Sequence, residues 1–77
     1  MTEQEWLDIF SDNLISLLDE NYMTQNELSI ETGISKGTIS KYVNGIQMPT
    51  VRALLAISYA FDESLDDLID FGERIEG

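Results

Sequence analysis

The chain contains no cysteine and no histidine among its 77 residues. The absence of cysteine excludes a disulfide framework, a thiolate metal site and a cysteine nucleophile. The absence of histidine removes the commonest metal ligand and the commonest general base. On so short a chain we therefore expect no enzyme activity, no metal or other cofactor and no small-molecule ligand.

Long apolar runs are also missing, since no segment approaches the roughly 18 residues needed to span a bilayer. The first residues do not read as a signal peptide, so we expect a cytoplasmic protein without a membrane partner. The length fits one domain, residues 1–77. Its small core is expected within about residues 2–71, followed by an acidic tail, residues 72–77.

Basic residues are scarce: four Lys and Arg stand against 15 Asp and Glu, for a net charge of −11. A surface of that sign repels phosphate. The acids, however, fall in residues 1–31 and 62–77, and residues 32–61 contain none. This acid-free window, residues 32–61, holds Lys36, Lys41 and Arg52. It predicts a locally positive face that meets an anion, although three solvated charges beside an uncharged core segment would give the same pattern.

Helix signals divide the chain into five predicted helices. Apolar residues recur at three- and four-residue steps, and nothing alternates with a period of two, so we expect an all-α fold. The fourth helix is apolar on most faces and is expected to be buried deepest. Hydroxyl residues mark the predicted helix starts and glycines mark two of the stops: Thr2, Thr24, Ser35, Thr50 and Ser64 for the starts, Gly33 and Gly45 for the stops.

The second and third helices flank a tight turn at Thr32-Gly33-Ile34, which is the arrangement of a helix-turn-helix. On the third helix Ile39, Tyr42 and Val43 are expected to face inward. The opposite face carries small residues and hydrogen-bond donors without an acid, which suits an α-helix that enters the major groove. Those residues are Ser35, Lys36, Gly37, Thr38, Ser40, Lys41 and Asn44.

Residues 24–50 resemble the helix-turn-helix of the Cro and lambda-repressor family, also called the XRE family. The resemblance implies a compact five-helix DNA-binding domain encoded by a bacterium or a phage. It is carried by Thr24-Gln25, Glu27-Leu28, Gly33-Ile34-Ser35, Thr38-Ile39-Ser40, Tyr42, Asn44-Gly45 and Pro49-Thr50.

The resemblance also implies roles for individual residues. Gln25 matches a glutamine that touches a phosphate and braces the recognition helix, and Asn44 matches an asparagine that contacts the DNA backbone. Asn44 is equally well placed as a local helix cap, and Arg52 either touches phosphate or is a bystander. The positions that match residues reading bases or nearby phosphates are Lys36, Gly37, Thr38, Ser40 and Lys41.

The sequence therefore predicts a transcriptional regulator that binds a specific site in double-stranded DNA. We expect a repressor that binds a pseudo-palindromic operator as a homodimer. The alternative is a protein-interaction module, either an antirepressor or an acidic DNA mimic; a mimic, however, would not need an acid-free helix. The predicted dimer interface, which could instead pack inward onto the fourth helix, is Leu65, Leu68, Ile69 and Phe71.

Overall fold

A computed structural model describes residues 2–64, which form four α-helices and no strand. The all-α prediction is confirmed over this range. The predicted fifth helix with Leu65, Leu68, Ile69 and Phe71, and the tail 72–77, lie outside the described residues, so the count here is four rather than five. No helix in the described range is long and apolar enough to cross a membrane. The helices are α1 (Glu3–Glu20), α2 (Gln25–Thr32), α3 (Lys36–Val43) and α4 (Val51–Phe61).

Each of the four helices begins where the sequence predicts. The capping residues Thr2, Thr24, Ser35 and Thr50 have extended backbones, and each side chain accepts a hydrogen bond from the amide three residues on. Such a bond satisfies one of the backbone donors that the first turn of a helix leaves unpaired. The chain thus uses the same device to start every described helix.

The helix ends rely on left-handed backbone conformations. Gly33 after α2 has φ 75° and Gly45 after α3 has φ 68°, which a glycine adopts without steric cost. Tyr22 after α1 has φ 52°, and there the side chain costs roughly 1–2 kcal/mol. At the end of α3 the amides of Gly45 and Ile46 donate to the carbonyls of Tyr42 and Lys41. This Schellman pairing satisfies carbonyls that the last turn would otherwise leave free.

The core lies where α3 packs between α1 and α2, with α4 against α2. Aromatic rings join α1 to α3: the Trp6 ring stacks on Phe10 at 5.3 Å between centroids, and Phe10 meets Tyr42 edge-on at 6.0 Å. The core cluster consists of Phe10, Leu14, Leu18, Leu28, Ile39, Tyr42, Ala53, Ile57 and Phe61.

Among the described helices α4 has the largest share of buried residues, four of 11, as expected, but one of its apolar sides is exposed. Val51, Leu55 and Tyr59 are 72%, 41% and 83% exposed. Apolar composition does not decide how many neighbours a helix has, and among the described residues α4 packs chiefly against α2. The side of α4 that faces the core is buried, and the other side stays exposed although it is apolar.

Candidate nucleic-acid interface

The turn between α2 and α3 is fixed by two hydroxyl groups. Thr32 Oγ1 donates to the Leu28 carbonyl at 2.7 Å and accepts from the Ile34 amide at 3.2 Å. Ser29 Oγ donates to the Ile34 carbonyl. The two bonds to Ile34 pair an amide and a carbonyl of the turn, residues 33–35, that neither helix can satisfy. Ser29 and Thr32 are not among the predicted site residues, although both stand within four residues of Gly33, where a local bond to the turn is sterically possible.

The inner face of α3 is anchored by Ile39 and Tyr42, which are buried. Burial raises the pKa of the Tyr42 hydroxyl, and a hydrogen bond with the Thr50 backbone acts in the opposite direction. Tyr42 therefore positions the helix from inside and does not face a ligand.

The C-terminal end of α3 is held by α1. Ser11 Oγ donates to the Val43 carbonyl, and Gln4 Nε2 donates to the Gly45 carbonyl at 3.3 Å and to Asp8 Oδ1 at 2.9 Å. Gly45 comes so close to α1 that a Cβ there would lie 3.5 Å from the Ser11 Cβ. We call Gln4, Ser11 and the carbonyls they reach the α1–α3 clasp. It joins residues more than 30 positions apart, so helical periodicity gave no signal for it.

The outer face of α3 presents the predicted residues to solvent. Ser35, Lys36, Gly37, Lys41 and Asn44 are exposed, while Thr38 and Ser40 are half-buried. The Asn44 amide donates to the Ser40 carbonyl at 2.8 Å, which confirms its role as a local cap. The Ser35 hydroxyl donates to Thr38 Oγ1 at 2.9 Å, so the two hydroxyls at the start of α3 are linked.

Gly37 has no packing reason to be glycine. A Cβ built at this position meets no heavy atom within 4 Å. A glycine inside a helix costs roughly 0.5–1 kcal/mol relative to alanine. The fold therefore accepts a less stable first turn of α3 while leaving open space in front of it, which allows another molecule to approach the backbone closely.

The cations of the acid-free window are available to a ligand. Lys36, Lys41 and Arg52 are exposed, and none forms an ion pair within residues 2–64. Gln25, the first residue of α2, is exposed as well, and its side chain makes no hydrogen bond to another described residue, so the bracing contact with α3 is not seen here. These side chains keep their full capacity for phosphate.

Acidic side chains close the N-termini of α1 and α2 but not those of α3 and α4. Glu5 accepts from the Thr2 amide and Glu27 from the Thr24 amide, both at 3.0 Å, which completes two capping boxes. The bond from the Thr2 backbone lowers the pKa of Glu5. The first turns of α3 and α4 contain no acid. Their partial positive charge is left for an outside anion.

The acids of the described range do not gather into a metal site. No group of three Asp or Glu within residues 2–64 is arranged to hold an ion. The outer face of α3 and the starts of α3 and α4 offer cations, hydroxyls and helix N-termini, which suit phosphate and base edges.

The comparison with known families agrees with this geometry. The model of a family described as helix-turn-helix matches residues 14–68, which is more than half of the chain and contains all of α2, α3 and α4. No curated protein and no solved structure matches the chain. The predicted resemblance is confirmed. The chain belongs to the XRE-type, Cro- and lambda-repressor-like helix-turn-helix family and is a DNA-binding transcription regulator of that type.

Proposed function

We propose that the protein is a repressor that occupies a specific pseudo-palindromic operator as a homodimer. The observation that carries the proposal is the outer face of α3, where two unpaired lysines stand without an acid in a chain of net charge −11. Repression then follows from occupancy of the operator, in the cytoplasm of a bacterial or phage-infected cell, without any chemistry by the protein.

Base reading is assigned to the start of α3. Lys36 reaches guanine acceptors, and the Thr38 and Ser40 hydroxyls meet base edges or a thymine methyl group. Gly37 allows the backbone to come near the groove, since nothing stands in front of it.

Phosphate contacts are assigned to the rim of the surface. Lys41, Asn44 and Arg52 lie at the last turn of α3 and the first turn of α4, and Gln25 lies at the first turn of α2. Contacts of this kind fix the register of the protein on the duplex and carry no sequence information of their own.

A homodimer follows from the small number of cations. Three per subunit give a weak electrostatic contribution, and a second subunit doubles it. Two copies on a pseudo-palindrome would place their recognition helices about 34–36 Å apart, one turn of the duplex. The sequence assigns the contact between them to Leu65, Leu68, Ile69 and Phe71.

The test is selection from a random pool of duplex DNA at low salt, with the enriched sites sequenced. We expect a two-fold symmetric motif with half-sites about one helical turn apart. No enrichment by a protein that is folded by circular dichroism would contradict the proposal and favour a protein-interaction module. Enrichment of a single half-site would retain DNA reading and reject the dimer.

A second measurement uses salt and charge inversion. If the three cations of each subunit, Lys36 as well as Lys41 and Arg52, lie near phosphates, the slope of log affinity against log salt should be near −5 for the dimer. Lys41→Glu should lower affinity more than about tenfold and make the slope shallower. The control Ser16→Asp adds a negative charge on the exposed face of α1 and should change affinity little. Unchanged binding by Lys41→Glu would mean that another surface meets the DNA.

A further inference from the structure

The two asparagines that cap the ends of α1 and α3 have nearly the same local geometry. Asn21 has φ −97° and ψ 4°, and Asn44 has φ −87° and ψ −1°. Each side-chain amide donates to the carbonyl four residues earlier, at 2.7 Å for Asn21 and 2.8 Å for Asn44. Both asparagines are exposed, and the residue after each has a left-handed backbone. That following residue is Tyr22 in one case and Gly45 in the other, which makes Asn44-Gly45 the sole Asn-Gly pair of the sequence.

The residue after an asparagine controls the spontaneous loss of its side-chain amide. The backbone nitrogen of that residue gives its proton to a base and attacks the side-chain carbon Cγ, and the side-chain nitrogen leaves as ammonia. Water then opens the five-membered succinimide ring at either carbonyl, which gives aspartate or isoaspartate. A side chain on the following residue hinders the attack, and glycine has none. Asn44 is therefore chemically the more susceptible of the two capping asparagines.

The folded end of α3 holds the atoms of this reaction in unreactive positions. The attacking amide, that of Gly45, donates to the Tyr42 carbonyl at 3.1 Å. The leaving nitrogen, Asn44 Nδ2, donates to the Ser40 carbonyl at 2.8 Å and to the Ser40 hydroxyl at 3.3 Å. The ring can close only after the Asn44 backbone rotates away from its helical ψ of −1°. Asn44 therefore reacts in molecules where the end of α3 has opened, and the rate follows the population of that open state.

The α1–α3 clasp holds the chain on both sides of Asn44. Ser11 Oγ donates to the carbonyl of Val43, the residue before it, and Gln4 Nε2 donates to the carbonyl of Gly45, the residue after it. The end of α3 cannot open until these bonds break. Contacts from α1 thus determine how much of the protein is open to the reaction.

We propose that Asn44-Gly45 is a deamidation site whose rate is set by opening of the α1–α3 clasp, and that the deamidated protein loses affinity for DNA. Either product places a carboxylate in the acid-free window, three residues after Lys41, and removes the amide that donates to the Ser40 carbonyl. Isoaspartate also lengthens the backbone just before Gly45, which packs closely against Ser11. A carboxylate on this face repels phosphate. The loss of affinity rests on the proposed function, whereas the reaction itself does not.

The reaction can be followed in the full chain without DNA, by mass spectrometry of proteolytic peptides. The protein is incubated at mildly alkaline pH below its unfolding temperature, and a second sample is incubated in concentrated urea. We expect conversion at Asn44 in both samples, more slowly in the folded one, while Asn21 stays unmodified and serves as the internal control. Conversion of Asn21 at the same rate as Asn44, or no conversion of Asn44 in the folded sample, would overturn the proposal.

Removal of one clasp bond tests the control by α1. Ser11→Ala should raise the rate at Asn44 about fivefold or more, because the end of α3 opens more often. The control Thr24→Ala removes the capping bond of α2 and lowers the overall stability by a comparable amount. It should change the rate at Asn44 much less. Equal acceleration by the two variants would mean that global unfolding exposes Asn44, and the assigned role of the clasp would be wrong.

The effect on DNA is measured after the same incubation. Operator affinity of the unmodified protein should fall in step with conversion at Asn44. Asn44→Gln cannot form the five-membered ring, so it should keep whatever affinity it has at the start. Asn44→Asp should bind at least about tenfold more weakly than Asn44→Gln, as a like charge that faces phosphate does. Full affinity of the converted protein would refute the loss of binding. Since the conversion is measured without DNA, a failure of operator selection is distinct from a failure of this proposal.

Discussion

The first half of the described chain, α1 and α2, and the second half, α3 and α4, both start their helices with a capping hydroxyl. They differ in the residue that stands three positions after it. In α1 and α2 the capping hydroxyl is followed three residues later by an acid, Glu5 or Glu27. In α3 and α4 the same position holds Thr38 or Ala53. An acid in the first turn stabilises a helix by about 0.3–1 kcal/mol. The second half therefore lacks a stabilising charge at the two helix ends that lie within the acid-free window.

The difference shows how the chain combines an acidic surface with a site for an anion. Helix α3 has eight residues, which is short for a helix to be stable on its own. Its stability comes from tertiary contacts, the buried Ile39 and Tyr42 and the α1–α3 clasp, rather than from first-turn acids. The acidic helices α1 and α2 thus pack against the inner face of α3, while the outer face of α3 remains positive.

The largest effect, on operator affinity, is expected when an acid is introduced in the first turn of α3. Thr38→Glu places a carboxylate three residues after Ser35 and completes a capping box there. The free energy of unfolding should stay the same or rise by about 0.3–1 kcal/mol. Operator affinity should fall by about 100-fold or more, because the new charge faces the DNA. Denaturant titration and fluorescence anisotropy measure the two quantities on the same sample.

Thr38→Gln is the matched control for that substitution. Glutamine also completes a capping box and has the same size, but it carries no charge. It should lose only the contribution of the Thr38 hydroxyl and bind clearly better than Thr38→Glu. If the two variants bind equally weakly, the loss is due to side-chain shape, and the electrostatic account of the acid-free window is wrong.

The next effect concerns the contact that joins the two halves. Ser11 is buried and donates to the Val43 carbonyl at the end of α3. Ser11→Ala leaves that carbonyl without its partner, so the free energy of unfolding should fall by about 1–3 kcal/mol. The control Ser16→Ala, on the exposed face of α1, should change it by less than about 0.5 kcal/mol. Equal effects of the two variants would show that the bond from Ser11 to the Val43 carbonyl contributes nothing.

A smaller effect is expected at Gly37, where one substitution should raise stability and lower operator affinity. Gly37→Ala should raise the free energy of unfolding by about 0.5–1 kcal/mol, because the helix gains propensity and the new Cβ meets nothing. The same variant should bind the operator less tightly, since the methyl group occupies space in front of α3. Gly33→Ala is the contrast: at φ 75° it should destabilise by roughly 1–2 kcal/mol. Tighter operator binding by Gly37→Ala would contradict the interpretation that Gly37 lets DNA approach the backbone of α3.

The sequence predicts the parts of this molecule that local physics decides. The caps Thr2, Thr24, Ser35 and Thr50 and the left-handed Gly33 depend on residues within one helical turn, so spacing finds them. The outer face of α3 follows from the same periodicity, with Ile39 and Tyr42 on the buried side.

The features that the sequence does not predict depend on which helices become neighbours in the fold. Ser11 reaches across 32 positions to Val43, and nothing near either residue indicates the partner. The sequence predicts that α4 is the most buried helix but not which of its apolar sides stays exposed, because an apolar face is buried only where another element covers it. Tyr22 takes a left-handed conformation that its residue type disfavours, since the reversal after α1 brings Met23 to donate to the Leu18 carbonyl at 2.9 Å.

The smallest predicted effect is the pH dependence of the stability that the Glu5 charge contributes at the start of α1. The Thr2 backbone bond lowers the pKa of Glu5 below its ordinary value of 4.5, so the ionised form is favoured in the folded state. That contribution is complete above the ordinary pKa and is lost as the pH falls through the lowered one. Glu5→Gln keeps the box without the charge. Thermal unfolding should show the unmodified protein to be slightly more stable than Glu5→Gln at neutral pH, with the difference lost as the pH falls below the ordinary pKa of 4.5 and through the lowered one. A difference that does not depend on pH would mean that the Glu5 charge makes no contribution and that side-chain geometry alone stabilises the start of α1.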